Sequence, residues 1–301
     1  MITLERIDEV RKHCDGARRR ACSVGLVPTM GFFHDGHVSL MEAARAQHDL
    51  VVVSLFVNPT QFGPTEDLDA YPRDAEGDAW RAAAAGVDVL FAPSVEEMYP
   101  RPMLTSVRVD GVTDGLCGAS RPLHFGGVAT VVTKLFAIVG PCTAYFGKKD
   151  YQQLVVVRRL AADLDIPVKV VGCPIVREPD GLAMSSRNAY LSSGERPAAA
   201  VLYRALEGAL KTVISGQRDA ARVRDAAVEI VGTEPLMSLE YAEVVRGDDL
   251  ASVSQLDNGV EYVIALAARA GTTRLIDNAT FTIDGHDVRF DLYGFGTPRE
   301  T

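Results

Sequence analysis

"SVGLVPTMGFFHDGHVSLMEAARAQH", residues 23–48, runs from an apolar stretch through a turn holding two histidines and two glycines into a segment of helical spacing. "VGLVP" is short and almost wholly apolar, as a strand buried on both faces should be. In "HVSLMEAARAQH" apolar residues recur at helical intervals. The stretch reads as first strand, turn and helix. Outward from it the alternation continues: "LVVVSLFV" (50–57) leads through a polar loop to "DAWRAAAAG" (78–86), and "VDVLFAP" (87–93) follows. "HFGGVATVVTKLFAIVG" (124–140), "TAYFG" (143–147), "DYQQLVVVRRLAADL" (150–164) and "VKVVGCPIV" (168–176) extend it. Continuous apolar strands between helices imply an α/β fold, a Rossmann-like doubly wound parallel sheet.

After "VREPDGLAMSSRN" (176–188) the texture changes. Two alanine-rich helical stretches, near 194–215 and 219–232, precede "LEYAEVV", "EYVIALAAR" and "ATFTIDG", which read as strands of a smaller α+β unit. The expected boundary lies near residue 177, with domains at 1–177 and 178–301. The 301 residues are 47% hydrophobic and 24% charged, enough for a substantial core. A formal charge of -9 argues against nucleic acid and anionic membrane as partners. The five cysteines, Cys14, Cys22, Cys117, Cys142 and Cys173, show no CxxC or zinc-like spacing and read as reduced. "MITLERIDEVRKH" lacks the apolar stretch of a signal peptide, and no apolar run is long enough to span a bilayer, so a cytoplasmic location is expected.

Ligands of doubly wound sheets bind beyond the carboxyl ends of the strands, which is where "PTMGFFHDGH" (28–37) falls. A helix N-terminus offers unpaired N–H groups and partial positive charge, both suited to phosphate. Gly36 lets the backbone approach closely, and His34 and His37 add directional donors. A lone histidine here would more often cap the helix or pack on Phe32 and Phe33; two around a glycine favour an anion site. The turn is not a dinucleotide fingerprint, because GxGxxG is absent.

The HxGH element "HDGH" resembles that of the nucleotidyltransferase-like Rossmann superfamily. With "VPTMGFFHDGH", "FVNPTQF", "EDLDAYPRD", "RPLHFGGVATVV", "FGKKDYQQL", "MSSRNAYL" and "GTTRLIDN" in order along nearly the whole chain, the sequence is similar to the pantothenate synthetase (pantoate–β-alanine ligase) family. The resemblance implies an ATP-driven condensation of (R)-pantoate with β-alanine through a pantoyl adenylate, releasing AMP and pyrophosphate. It also implies Mg²⁺ and a homodimer. A carboxylate is a poor acylating agent until adenylated, and that transfer needs positioning and charge neutralisation more than a protein nucleophile. The lack of a Ser-His-Asp or Cys-His constellation agrees with this.

The resemblance also implies residue roles. Met30, Gly31, His34, Gly36 and His37 would form the ATP-binding turn, with His37 and His34 stabilising charge on departing pyrophosphate. Gly147 would admit the ribose, Asp150 would accept from its hydroxyls, and Lys149 would bring positive charge to phosphate as a third catalytic group. Lys148 stands where the family usually has glutamate. Val176 would bind adenine through its backbone, and Met184, Ser185, Ser186 and Arg187 would close over ATP on a flexible segment. Read alone, "MSSRN" would more often be an N-cap, with Ser or Asn starting a helix. Gln61 and Gln153 match pantoate-binding positions, Gln61 also meeting β-alanine, with Asn58, Tyr71, Arg121 and His124 in matching motifs. Asp78 matches one metal-binding position, whereas Gly77 and Arg81 occupy others. Two alternatives stand beside this reading: a nucleotidyltransferase that makes no amide, and a nucleotide-sensing protein without turnover. A tRNA synthetase is disfavoured, since no anticodon-binding module or basic surface is evident.

Overall fold

The computed structural model describes residues 1–64 and 66–292. The chain divides into two compact units: Met1–Asp114, Gly118–Lys148 and Val156–Cys173 form one, and Gly115–Cys117, Lys149–Val155 and the chain from Pro174 onward form the other. In the first unit the sheet comprises β1 (Ile2–Leu4), β2 (Val24–Thr29), β3 (Leu50–Leu55), β4 (Val89–Phe91), β5 (Cys142–Gly147) and β6 (Val168–Cys173), in the order β1-β4-β3-β2-β5-β6. Every pairing is parallel. Among the elements that the sequence reading did not place, "ITL" at residues 2–4 forms an edge strand, so the strand before the histidine turn is the second. Three residues are too few to show a period, and only pairing with β4 makes them a strand.

The helices are α1 (Ile7–Arg19), α2 (Asp35–Arg45), α3 (Ala75–Ala84), the short α4 (Val95–Met98) and α5 (Cys117–Ser120), α6 (His124–Val139) and α7 (Tyr151–Asp163). Val51, Val52 and Val53 are fully buried, which is why β3 has no polar alternation. A core of Val27, Leu40, Met41, Ala44, Val53, Ala82 and Leu90 joins strands to α2 and α3. Asp35 begins α2 and Arg45 ends it, each the sign that the helix dipole favours. α6 stops at Gly140, whose φ of 76° suits a residue without Cβ.

Register positions the site. Thr29 pairs with Leu55 and Gly147 with Cys173, so parallel strands end along one edge. Because β3 and β5 flank β2 on opposite sides, the chain leaving β2 enters at the point where strand order reverses.

In the second unit α8 (Glu195–Ala198), α9 (Val201–Ile214) and α10 (Ala220–Val231) accompany an antiparallel sheet of β7 (Met237–Arg246), β8 (Glu261–Ala270), β9 (Thr273–Asp284) and β10 (Asp287–Asp291). Leu202, Leu206, Leu210 and Val213 line one face of α9 and pack with Val223, Ile264, Leu266 and Phe281. Asp219 caps α10 by accepting N–H bonds from Ala221 and Arg222. Among the described residues, no helix is long and apolar enough to cross a membrane.

Candidate active site

In the first unit, β2 delivers Met30 and a sharply turned backbone to the sheet edge. Gly31 has φ 94° and Phe32 φ 53°, a left-handed pair that points successive N–H groups one way. Asp78, on α3 and only 2% exposed, receives them: Phe32 N–H donates to Oδ2 at 2.8 Å and Phe33 N–H to Oδ1 at 2.6 Å. Burial pushes the Asp78 carboxyl above its ordinary range despite the pull of these amides. Glycine is required at 31, since a Cβ there would lie 2.5 Å from Leu55 Cδ1 and 2.9 Å from Asp78 Oδ2.

The two histidines cap α2 and each other's backbone. His34 Nδ1 accepts from Gly36 N–H at 3.1 Å, and His37 Nδ1 accepts from His34 N–H at 3.3 Å. An accepting Nδ1 carries no proton, so each neutral ring holds its proton on Nε2. The ring centroids are 4.2 Å apart, and Phe33 lies 5.4 Å from His37. Helix capping thus takes Nδ1 of both rings and leaves Nε2–H as the donor of each.

A second cluster forms after β3. Asn58, 1% exposed, caps the 3-10 turn Pro59–Gln61 and donates Nδ2–H to Gln61 Oε1 at 3.1 Å and to the Gly127 carbonyl at 3.2 Å. Gln61 Nε2 reaches Met30 Sδ at 2.8 Å, joining this turn to the histidine turn. The Gln61 carbonyl accepts from His124 Nδ1 at 2.9 Å and from Arg121 Nη2 at 3.4 Å. Arg121 also grips Glu66 with two bonds, Nε to Oε1 at 2.7 Å and Nη2 to Oε2 at 2.6 Å. Burial raises the Glu66 carboxyl, but Arg121 outweighs it and holds the group below its ordinary value. Tyr71 is buried, its ring edge-on to Phe62. The sequence reading missed two participants: Glu66, and Tyr99, which donates to Asn58 Oδ1 at 2.7 Å. Glu66 lies in "EDLDAYPRD", but pairing over 55 residues leaves no local signal. Met30, Asn58, Gln61, Arg121 and His124 therefore form one connected set. Gly147 ends β5, where a Cβ would meet no atom within 4 Å.

The remaining expected residues belong to the second unit. Lys149 and Asp150 lie in a 3-10 turn running into α7, with Lys149 Nζ 3.9 Å from Asp150 Oδ2. Gln153 is half-buried on the first turn of α7. The Val176 carbonyl accepts from Met184 N–H at 3.0 Å, Arg177 bridges to Ala183, and Asn188 Nδ2 donates to the Ala183 carbonyl at 3.1 Å. Residues 184–188, expected on a flexible segment, are tied back by these bonds. Ser185 Oγ accepts from Arg187 N–H at 3.3 Å and starts the turn Ser186–Tyr190, so its capping role is real. Asn188 Oδ1 is buried without a hydrogen-bond partner among the described residues.

A protein-built magnesium cage does not fit the residues present. Among the described residues, no group of three or more His, Cys, Asp or Glu side chains is arranged to hold a metal ion. Both oxygens of Asp78, expected as a ligand, serve the amides of Phe32 and Phe33. Asp74 caps α3 by accepting from Gly77 N–H at 3.0 Å, and its carboxylate occupies the space that a side chain at 77 would need.

Comparison with known proteins gives a consistent result. A family model described as pantoate-beta-alanine ligase matches residues 2–280. The chain is 50% identical over 284 residues to the pantothenate synthetase of Moorella thermoacetica, spanning 94% of this chain and 100% of the relative. It is 54% identical over 278 residues to that of Heliobacterium modesticaldum, spanning 92% and 98%. Among solved structures, pantothenate synthetase from Thermus thermophilus matches with a TM-score of 0.86 at 47% identity, covering 92% of this chain and 98% of that one. Pantoate-beta-alanine ligase from Francisella tularensis, solved with beta-gamma ATP and beta-alanine, matches with a TM-score of 0.75 at 34% identity, covering 92% and 97%.

Proposed function

The chain belongs to the pantoate-beta-alanine ligase family, and from that premise we propose how its residues divide the work of an ATP-dependent ligation. The enzyme joins pantoate to β-alanine. In the first half-reaction a pantoate carboxylate oxygen attacks the α-phosphorus of ATP. The bond to the bridging oxygen breaks, and pyrophosphate leaves with the electron pair. In the second, the β-alanine amine attacks the acyl carbon, the acyl–oxygen bond breaks, and AMP departs as the amine loses a proton.

The observation that carries this reading is the reciprocal Nδ1 capping of His34 and His37, which orients two Nε2–H donors at the N-terminus of α2. Preorganised donors aimed at developing charge stabilise it without reorganisation during the reaction. Met30, Gly31 and Gly36 supply the turn that receives ATP, and Lys149 brings a point charge to its phosphates. Gly147 and Asp150 serve the ribose, Val176 the adenine, and Met184, Ser185, Ser186 and Arg187 the phosphate tail. Gln61 and Gln153 bind (R)-pantoate, with Asn58, Arg121 and His124 holding Gln61 in place and Tyr71 walling the pocket. Mg²⁺ enters with the nucleotide phosphates, on which it commonly relies. Five free thiols support a reducing, cytoplasmic setting. A homodimer follows the family resemblance and is checked by sedimentation equilibrium.

Exchange of labelled pyrophosphate into ATP tests the mechanism. A reversible adenylate requires exchange with pantoate and Mg²⁺ and without β-alanine; adding β-alanine then releases AMP and the amide. Exchange that needs β-alanine, or ADP and phosphate as products, overturns the two-step scheme.

A further inference from the structure

"GTTRLIDN" (271–278) is one of the stretches shared with the family, and none of the residues assigned to ATP or pantoate lies in it. Its end lies in β9, where Asp277 and Asn278 are 2% and 4% exposed. Asp277 makes a two-armed ion pair with Arg177: Nη1 donates to Oδ2 at 2.6 Å and Nη2 to Oδ1 at 2.9 Å. Both side chains are 1% exposed. Arg177 directs its other donors to backbone carbonyls, Nε to Leu292 at 2.8 Å, Nη1 to Gly181 at 2.9 Å and Nη2 to Asn278 at 3.4 Å. All five N–H groups of the guanidinium thus have acceptors, and the Tyr203 ring centroid lies 5.1 Å from its carbon.

The network continues outward in two directions. Asp277 Oδ1 also accepts the Asn278 N–H at 2.8 Å, and Asn278 Nδ2 donates to the carbonyl of Lys149 at 2.9 Å. A carbonyl can only accept, so the amide nitrogen is the end that faces Lys149. In the other direction, the Gly181 carbonyl and the bridge from Arg177 to Ala183 hold the return that leads into Met184–Arg187. One buried ion pair therefore anchors both segments assigned to phosphate in this unit.

Stability alone is a weak reason for such a pair, because well-packed apolar residues of similar volume often do as well. A fully satisfied polar network adds what apolar packing lacks, fixed direction. We propose that Asn278, aligned by Asp277 and Arg177, is a positioning residue that sets the backbone of Lys149 and so aims its ammonium group at the ATP phosphates. The proposal rests on the reading of Lys149 given above. Its ammonium group sits 3.9 Å from Asp150 Oδ2 at the end of a long stem, so the direction in which that stem leaves the main chain decides where the charge can reach.

A double-mutant cycle on the full-length enzyme, read by pantoate-dependent pyrophosphate exchange, tests it. Asn278→Ala should slow exchange by about 10- to 100-fold, the scale of a misplaced catalytic group, while the KM for pantoate stays unchanged. In a Lys149→Ala background the same substitution should cost less than about twofold, because the group that it positions is already gone. A purely structural role would leave the two losses multiplying, and that result overturns the proposal, as does an Asn278→Ala enzyme with wild-type exchange. Lys149→Ala with unchanged exchange overturns the reading of Lys149 itself, a failure distinct from the other two. Should Asn278→Ala melt early, Asn278→Asp carries the same expectations, since it keeps the shape and replaces the donor with an acceptor that repels the carbonyl.

Discussion

At the scale of single residues, the role proposed for the two histidines has one side chain serve structure and chemistry together. Each imidazole has two nitrogens, and the backbone claims Nδ1 of both. The cap thereby selects the tautomer, which removes the cost of choosing it during reaction. His37→Ala should lower the rate of single-turnover adenylation by about 10²- to 10³-fold, the usual loss for one preorganised donor to developing charge. It should leave folding nearly intact, because α2 stays packed through Leu40, Met41 and Ala44. A variant that adenylates pantoate at close to the wild-type rate removes the role given to this ring. Asp78 belongs at this scale too. It resembles a metal ligand in sequence and acts as the acceptor for two consecutive amides of a left-handed turn.

Between elements of the first unit, α6 approaches the turn Pro59–Gln61 at backbone distance. A Cβ on Gly127 would lie 2.6 Å from Gln61 Cα and closer still to the Thr60 carbonyl, so only glycine lets the helix and turn meet at backbone distance. Asn58 seals that contact through the Gly127 carbonyl. Overpacking a close contact typically costs about 1–3 kcal/mol, and here the strain falls on the turn that carries Gln61. Gly127→Ala should therefore weaken pantoate binding about tenfold, matching ~1.4 kcal/mol of that range, and leave ATP binding unchanged. Calorimetry with each substrate in turn decides this. Unchanged pantoate affinity means that the turn does not position the acid substrate.

At the scale of the whole molecule, stability should depend on pH through His48, which lies outside the site. Its Nε2 is 2.9 Å from Tyr145 Oη, while Nδ1 is buried with no hydrogen-bond partner among the described residues. Burial lowers its pKa from the ordinary 6.5; Asp49 opposes that shift, and Arg45 and Lys169 reinforce it. The folded chain thus favours the neutral ring. Stability is whole above the ordinary value and declines as the pH falls below 6.5 toward the folded value, because the unfolded chain takes up the proton first. Melting curves between neutral pH and the mildly acidic range should show this decline. His48→Gln, which keeps a polar partner for Tyr145 and cannot titrate, should flatten it; an unaltered slope would assign the decline to other groups.

The sequence by itself determined what repeats locally or is announced by residue type. Apolar runs between helical patterns established the α/β sheet, and glycine with two histidines after such a run pointed to a candidate anion site at a helix N-terminus. Those signals are short-range, arising from backbone sterics, side-chain period and the dipole of one helix. Only the tertiary structure decided pairings across many residues: "ITL" as a strand, Glu66 as the partner of Arg121, and Asp78 as a backbone acceptor. The same holds for Asn278 on the Lys149 carbonyl, 129 positions away. Hydrogen bonds and ion pairs form between groups within about 3 Å in space, and a chain contains many residues able to make each one. Which partner is chosen depends on where packing brings the backbone, and that information is distributed over the whole core.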